Sequence, residues 1–150
     1  MANTWAFIRF NGAHDMGHVG YGFAIAPGQY TFGSVENPSG SPLVQPGANN
    51  GAWISTGSEQ DMRAAMRRNA YDAYLCWDIP STNPGAATQA AQATVGEGYS
   101  VIGDNCEDAV YHVLTAYGAQ LPSPSAIGNA SPNAWWAALE NATQAAGGAP

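Results

Sequence analysis

Positive charge is scarce in this sequence. It contains four arginines, no lysine and three histidines against eleven acidic residues, which gives a formal net charge of −7. Nucleic acids and anionic membrane surfaces are bound through clustered cations, so this balance argues against both as partners. The absence of lysine also leaves no side-chain ammonium group for catalysis.

Long apolar runs and cysteines are also few. No stretch approaches the roughly 20 apolar residues that span a bilayer, and the opening MANTWAFIRFNGAHD lacks a basic start followed by an apolar run. We therefore expect no integral membrane segment and no signal peptide, in a protein that is cytoplasmic or exported by a leaderless route. In such a chain we expect Cys76 and Cys106 to be free thiols rather than one disulfide.

The length and composition predict one folded domain. The 150 residues suffice for a core, and a hydrophobic content of 45% argues against disorder. We expect a single domain over residues 1–150, with a long surface loop at 37–52 that is either functional or a flexible insert. The tail at about 144–150 is expected to be frayed.

Most of the early chain has the alternation of strands. Strands are predicted at residues 5–10, 18–26, 29–36 and 71–79. The second and third flank Pro27-Gly28 and therefore form a hairpin, while residues 14–17 read as a turn. In the third strand one face carries four alternating side chains: Tyr30, Phe32, Ser34 and Glu36.

Capping signals predict the helices. Ser58 and Asp61 have the spacing of a capping box that opens a helix through about Asn69. Residues 86–95 are rich in alanine and predict a second helix. Ser131, followed by Pro132, predicts the start of a last helix. Residues 99–102 form a predicted extended lead into a further helix that carries Cys106.

That helix lies in GDNCEDAVYHVLTAYG, residues 103–118. With Asp104 as N-cap and Glu107 three residues later, Cys106 becomes the second helical residue, where N–H groups are unpaired and the helix dipole is positive. Thiols at helix starts titrate below the free value, and the same N–H groups can hold an oxyanion. Because a nearby carboxylate opposes a thiolate, Glu107 and Asp108 are expected to point toward the cap or solvent.

The apolar spacing sets the direction of the thiol. Cys106, Val110, Val113 and Tyr117 recur at helical intervals and predict a single buried stripe. The thiol then faces the core at the exposed end of that stripe. An inert core cysteine has the same position, so the helix alone does not distinguish a nucleophile from a packing residue.

Three histidines are candidate bases. His112 falls about 240° round the helix from Cys106 and is expected on the surface or in packing. His14 lies in the predicted turn, and His18 begins a strand of small residues. The pair His14 and His18 lacks the glutamate and the third ligand of a zinc site, so neither a metal nor another cofactor is predicted.

Three segments together resemble a known family: GHVGYGF, YTFGSVEN and DNCEDAVYHVLTAYG, within residues 17–37 and 103–121. They are similar to the circularly permuted branch of the papain-like NlpC superfamily, which includes the lecithin:retinol acyltransferase-like proteins. The resemblance implies an α+β fold in which an antiparallel sheet packs against the cysteine helix. It also implies acyl chemistry through a thioester, with Cys106 as nucleophile and His18 as base.

A third residue is expected to hold the other nitrogen of the imidazole. In the predicted hairpin, positions 34–37 lie opposite His18, and Glu36 is preferred because a carboxylate best stabilises an imidazolium. Ser34 and Asn37 are the alternatives, and Glu36 as an ordinary strand-end charge is equally compatible with the sequence. The acyltransferase members commonly have a second histidine here, which weakens the transfer of their lipid substrates.

The leading functional hypothesis is a cysteine hydrolase that cleaves an amide bond in a peptide or a peptidoglycan-like substrate. The alternatives are an acyltransferase or an ester or lipid hydrolase on the same thiol, and a non-catalytic binding module on the same fold. Four aromatic residues are candidates for a groove or for the core: Tyr21, Tyr30, Trp53 and Trp77. The natural substrate and the oligomeric state are not predicted by the sequence.

Overall fold

The computed structural model of the protein describes residues 1–12, 16–100 and 105–150. Its strands in these ranges are β1 (Thr4–Arg9), β2 (His18–Ala26), β3 (Gln29–Val35), β4 (Leu43–Val44), β5 (Ala52–Gly57), β6 (Ala73–Trp77), β7 (Tyr99–Ser100) and β8 (Ala146–Gly148). Its helices are α1 (Glu59–Arg68), α2 (Pro84–Thr94), α3 (Cys106–Tyr117) and α4 (Pro132–Thr143). The predicted α+β class is confirmed. The predictions for His14, Asp104 and parts of the segments 14–17 and 99–102 lie outside the described residues.

Six of the strands form one antiparallel sheet in the order β5-β3-β2-β1-β6-β8. The predicted hairpin is confirmed, with Gly20 opposite Ser34, and the same register continued places His18 opposite Glu36. On the other side of β2, Arg9 pairs with His18. Three polar residues therefore lie side by side across the ends of three neighbouring strands.

Both faces of the sheet are covered. Helices α2, α3 and α4 pack on one face, over a buried cluster whose sheet members include Ile8, Val19, Tyr21 and Phe23. Helix α1 covers the other face, over a cluster whose sheet members include Trp5, Phe7, Tyr30 and Phe32. The strict alternation of neighbouring residues between these two clusters follows from the two-residue period of a strand.

The capping predictions for α1 and α4 are confirmed. Ser58 and Asp61 form a reciprocal capping box at the start of α1. At the start of α4, the Ser131 side chain accepts a hydrogen bond from the Ala134 amide, and Pro132 lies in the first turn. No helix among the described residues is long and apolar enough to cross a membrane.

The prediction of a frayed tail is wrong. Residues 146–148 form β8, which pairs with β6 through Tyr74 and Gly148 among others. Glycine suits this position because a Cβ at residue 148 would lie 3.1 Å from the Tyr74 hydroxyl. The exposed strand extends the sheet by backbone hydrogen bonds, which leave no hydrophobic signal in the sequence.

The loop at 37–52 is anchored to the rest of the chain. Its strand β4 pairs with β7, with Val44 opposite Tyr99. The Asn50 side chain is 1% exposed and donates to the carbonyls of Thr94 and Gly98, at 2.7 and 2.8 Å. The loop is thus held against the segment that leads into the cysteine helix. The strand β5 that follows was not predicted.

Candidate functional site

Helix α3 begins one residue later than its sequence predicts. The N-cap is Asn105, whose side-chain oxygen accepts from the amides of Glu107 and Asp108, at 2.9 and 3.2 Å. Asp108 Oδ2 accepts in return from the Asn105 amide, so Cys106 is the first helical residue. The observed N-cap is thus one residue later than predicted, because the pairs 104/107 and 105/108 both have the capping-box spacing and spacing alone does not choose between them.

The buried stripe on α3 is confirmed. Cys106 is 2% exposed, and Val110, Val113 and Tyr117 are equally buried. The stripe packs on β2 and β3, which holds the thiol against the sheet. Both cysteines are free thiols, as predicted, and Cys76 is only half-buried.

Glu107 contradicts the prediction that it points toward the cap or solvent. It is 2% exposed, and its Oε2 is buried with no hydrogen-bond partner among the described residues. Burial raises the pKa of Glu107 to about 8, with a further contribution from the charge of Asp108. The carboxyl is therefore mostly protonated at neutral pH, and a neutral group does not oppose a thiolate next to it.

His18 lies between the two other predicted site residues. Its ring is buried at the start of β2, and Nε2 lies 3.1 Å from Oε2 of Glu36. This contact is an ion pair rather than an aligned hydrogen bond. Cys106 lies near enough to the imidazole to raise its pKa, and the two residues line the same cavity. Because Nε2 faces the carboxylate, Nδ1 is the ring nitrogen that remains for a second partner.

This environment favours the charged imidazolium. Burial alone lowers the pKa of His18, but the Cys106 sulfur and the Glu36 carboxylate outweigh burial and raise this pKa to about 9. Burial likewise raises the pKa of Glu36, yet the contact with His18 and the hydrogen bonds from Ser34 and Trp53 hold it well below its usual range. The pair is accordingly ionised at neutral pH.

The Glu36 carboxylate is held by donors on both oxygens. Oε1 accepts hydrogen bonds from Ser34 Oγ at 2.6 Å, Trp53 Nε1 at 3.1 Å and Tyr71 Oη at 3.2 Å. Gly20 makes room for the last of these, since a Cβ there would lie 3.1 Å from that hydroxyl. Such a network fixes the plane of the carboxylate and keeps it charged.

Oε2 of Glu36 is shared by two cationic partners. Arg9 Nη2 lies 3.2 Å from it, and His18 approaches from the neighbouring strand position. The guanidinium of Arg9 is itself positioned by a 2.7 Å hydrogen bond from Nη1 to the Asn69 carbonyl. The row of side chains across β1, β2 and β3 is therefore connected by contacts as well as by register.

Cys106, His18 and Glu36 line one cavity of about 320 Å³. Of the two alternatives to Glu36, Ser34 donates to the carboxylate. The other, Asn37, lines the cavity and donates its amide hydrogen to the Ser41 carbonyl. The structure thus brings the three preferred candidates together and gives the alternatives other partners.

The rest of the cavity wall comes from segments that the sequence did not assign to a site. Its apolar members are Met16, Pro38, Ala130 and Pro132. Tyr99, from β7, and Ser41, from the anchored loop, supply hydroxyl groups. The aromatic residues considered as groove candidates lie elsewhere: Tyr21 and Tyr30 are core residues, Trp53 supports Glu36, and Trp77 packs against the core.

The contacts of Arg9, Trp53 and Tyr71 with Glu36 were not predicted from the sequence. A signal existed for Arg9, since pairing the first two predicted strands brings it beside His18. His112 is exposed on α3, as predicted. In the described ranges, no group of three or more histidine, cysteine, aspartate or glutamate residues is arranged to hold a metal ion.

No protein-family model, curated protein or solved structure matches the chain. The function is therefore inferred from the chemistry of the residues that meet at this cavity.

Proposed function

We propose that the protein is a cysteine hydrolase that cleaves an amide bond in a peptide or a peptidoglycan-like substrate. The single observation that carries this proposal is the buried His18 ring, which lies 3.1 Å from the Glu36 carboxylate and lines one cavity with Cys106. A thiol, a base and a group that orients the base are the parts that activate a nucleophile.

The reaction follows from this arrangement. His18, which is the imidazolium at neutral pH, already holds the proton that the Cys106 thiol gives up, and the thiolate attacks the substrate carbonyl carbon. The C–N bond breaks as the imidazolium gives its proton to the leaving amine, and the acyl group stays on the sulfur as a thioester. Water, deprotonated by His18, then attacks the thioester and releases the carboxylic acid and the free thiol.

The helix start contributes fewer oxyanion donors than expected from the sequence. The amides of Glu107 and Asp108 already donate to the Asn105 side chain. We assign the amide of Cys106 itself as the donor from this turn that stabilises the oxyanion. Glu36 stabilises the imidazolium and fixes the orientation of the ring.

We also propose that the fold is the circularly permuted papain-like arrangement. Its support is the order of the parts: the strand that carries His18 precedes the helix that begins at Cys106, and this helix packs on an antiparallel sheet. The same order underlies the resemblance of the three sequence segments.

Alkylation with iodoacetamide near pH 7, followed by peptide mapping, tests the activation of the thiol. We expect Cys106 to react about tenfold or more faster than Cys76, because an imidazolium lies near the Cys106 sulfur, whereas burial raises the pKa of the Cys76 thiol. His18→Asn is expected to slow the reaction of Cys106 to that of Cys76. His112→Asn, which changes an exposed histidine of α3, is the matched control and is expected to have no effect. Equal and slow labelling of both cysteines contradicts the proposal.

A screen across peptides, muropeptides and acyl lipids tests the substrate class. We expect amide hydrolysis by the wild type and by Cys76→Ala, and none by Cys106→Ala. Hydrolysis of acyl lipids alone, or products in which the acyl group is joined to an added amine or alcohol instead of water, overturns the assignment as an amide hydrolase. Rapid labelling of Cys106 with no turnover of any substrate in the screen favours a binding module.

A further inference from the structure

The cavity contains an acidic residue that the proposed mechanism does not use. Glu107 follows Cys106 directly in the chain and forms part of the same wall. It is 2% exposed, and its buried Oε2 has no hydrogen-bond partner among the described residues. Buried polar atoms are nearly always paired in folded proteins, so an unpaired carboxyl oxygen on the residue that follows Cys106 calls for a ligand.

The other charged groups of the wall are already compensated. Arg9 and Glu36 form an ion pair at 3.2 Å, and His18 lies 3.1 Å from the same carboxylate. Asp108, next along the helix, is satisfied by the Asn105 amide. Of the two carboxyl groups in the described wall, Glu107 is therefore the one for which no contact with an opposite charge is found.

We propose that Glu107 binds a protonated amine on the acyl portion of the substrate. This inference rests on the proposed function, since it concerns the substrate of the same thiol. The acyl portion is the part that stays bonded to the Cys106 sulfur, and Glu107 is the immediate chain neighbour of that sulfur. An ammonium group offers three donors and a full positive charge, which together satisfy a buried carboxylate better than a neutral donor does.

The electrostatics of the free and bound states agree with this role. In the free protein, burial raises the pKa of Glu107 to about 8, so the neutral carboxyl does not repel the thiolate. When an ammonium group enters, the carboxyl ionises beside it and the pair remains neutral overall. A negatively charged substrate group at this position has no such partner and is disfavoured.

Three methanethiosulfonate reagents that differ only in charge test this proposal. Their end groups are 2-aminoethyl (cationic), 2-hydroxyethyl (neutral) and 2-sulfonatoethyl (anionic), and each forms a mixed disulfide with the sulfur and releases methanesulfinate. Rates at Cys106 are measured at pH 7 and 0.15 M salt, and are normalised by the rates with N-acetylcysteine. We expect the cationic reagent to react about tenfold faster than the neutral one after normalisation, and the anionic reagent to react slowest.

Glu107→Gln keeps the size of the side chain and removes its charge. We expect it to abolish the preference for the cationic reagent over the neutral one, with both rates measured on the same variant. Glu140→Gln removes an exposed charge from α4 and is the matched control for net charge. It is expected to retain the preference.

The outcomes separate the two proposals. If Cys106 reacts with iodoacetamide and the neutral reagent no faster than Cys76, the proposed function fails. If Cys106 is fast but shows no cationic preference, or if Glu107→Gln retains it, the role of Glu107 fails alone. If Glu107→Gln does not unfold cooperatively, the wild type and Glu107→Asp are compared instead. A wild type that shows no preference for the cationic reagent overturns the proposal. A preference in both the wild type and Glu107→Asp supports it.

Discussion

At the scale of single residues, the site depends on groups that are buried together with their charges. Glu36 receives hydrogen bonds or ion-pair contacts from Ser34, Trp53, Tyr71, Arg9 and His18. Removing one partner of a buried charge pair lowers the free energy of unfolding by more than the intact pair contributes to it, because the other charge is left buried and uncompensated. Variants at these positions therefore need a measurement of folding beside any measurement of reactivity.

The free energy of unfolding is expected to fall as the pH rises from about 5 to 9. The pKa of His18 rises from 6.5 to about 9 on folding. The contribution of His18 to the free energy of unfolding is therefore complete below pH 6.5 and is lost as the pH rises through 9. The pKa of Glu107 rises from 4.5 to about 8, so the stability from its neutral form is lost over that window. Glu36, whose folded pKa is lowered, instead contributes above its ordinary pKa and loses this contribution as the pH falls.

Urea unfolding between pH 4 and 9.5 checks these signs. We expect a loss on the order of 3 kcal/mol from His18 between pH 6.5 and 9, at about 1.4 kcal/mol for each unit of pKa shift. His18→Asn is expected to flatten the profile above pH 6.5, and Glu107→Gln to flatten it between pH 4.5 and 8. A wild-type profile that rises toward pH 9 contradicts both assignments.

Tyr21 offers a substitution that is expected to stabilise the protein. Its ring is completely buried, and its hydroxyl has no hydrogen-bond partner among the described residues. Tyr21→Phe removes that hydroxyl and is expected to raise the free energy of unfolding by about 1 kcal/mol. Tyr30 is the matched control, because its hydroxyl donates to the Ala2 carbonyl at 2.9 Å.

In urea unfolding, Tyr30→Phe is expected to lower the free energy of unfolding by about 1 kcal/mol. Equal losses in the two variants would show that the Tyr21 hydroxyl is satisfied in solution.

At the scale of elements, the part of the site that the sequence predicts is the part that local rules determine. The turn at Pro27-Gly28 brings positions 34–37 opposite the start of β2, and a one-residue register shift between Ala24 and Ala26 makes Glu36 the residue opposite His18. The stripe on α3 follows from helical periodicity. The contacts of Trp53 and Tyr71 with Glu36 were not predicted. Trp53 lies on β5, which pairs with β3 only after the long loop at 37–52, and Tyr71 reaches the site from the segment that follows α1. Nothing local in the sequence indicates that both side chains meet at Glu36.

The anchored loop is the element whose attachment is easiest to break. Asn50→Ala removes two hydrogen bonds to buried carbonyls and one that its Oδ1 accepts from the Ala52 amide. We expect a loss of about 2–4 kcal/mol in urea unfolding, because each unsatisfied buried group costs about 1–3 kcal/mol. Asn49→Ala, in which an exposed side chain loses one bond to the Gly51 amide, is expected to cost less than about 1 kcal/mol.

Hydrogen exchange at residues 43–51 is the second readout for the loop. Faster exchange of the Gly47 amide, which donates to the Gly96 carbonyl, is expected in Asn50→Ala and not in Asn49→Ala. Unchanged exchange in both variants would contradict the role of Asn50 as the anchor.

At the scale of the whole molecule, the α+β class and the main layers could be predicted, and the edges of the sheet could not. Both edge strands, β5 and β8, are short and are paired through their backbones. The sequences ISTG within β5 and AGG in β8 carry no apolar alternation, so side-chain patterns do not reveal them. The start of α3 was misplaced by one residue for a similar reason, because consecutive Asp and Asn residues both satisfy the same capping rule.

The order of the parts along the chain also sets the order in which the site is completed on the ribosome. The hairpin that aligns His18 with Glu36 is finished early in synthesis, whereas the sulfur is added long afterwards and reaches the imidazole only when α3 docks on the sheet. A nascent polypeptide therefore holds the base before it holds the nucleophile. Reactivity of the thiol then becomes a property of the finished protein and not of its fragments.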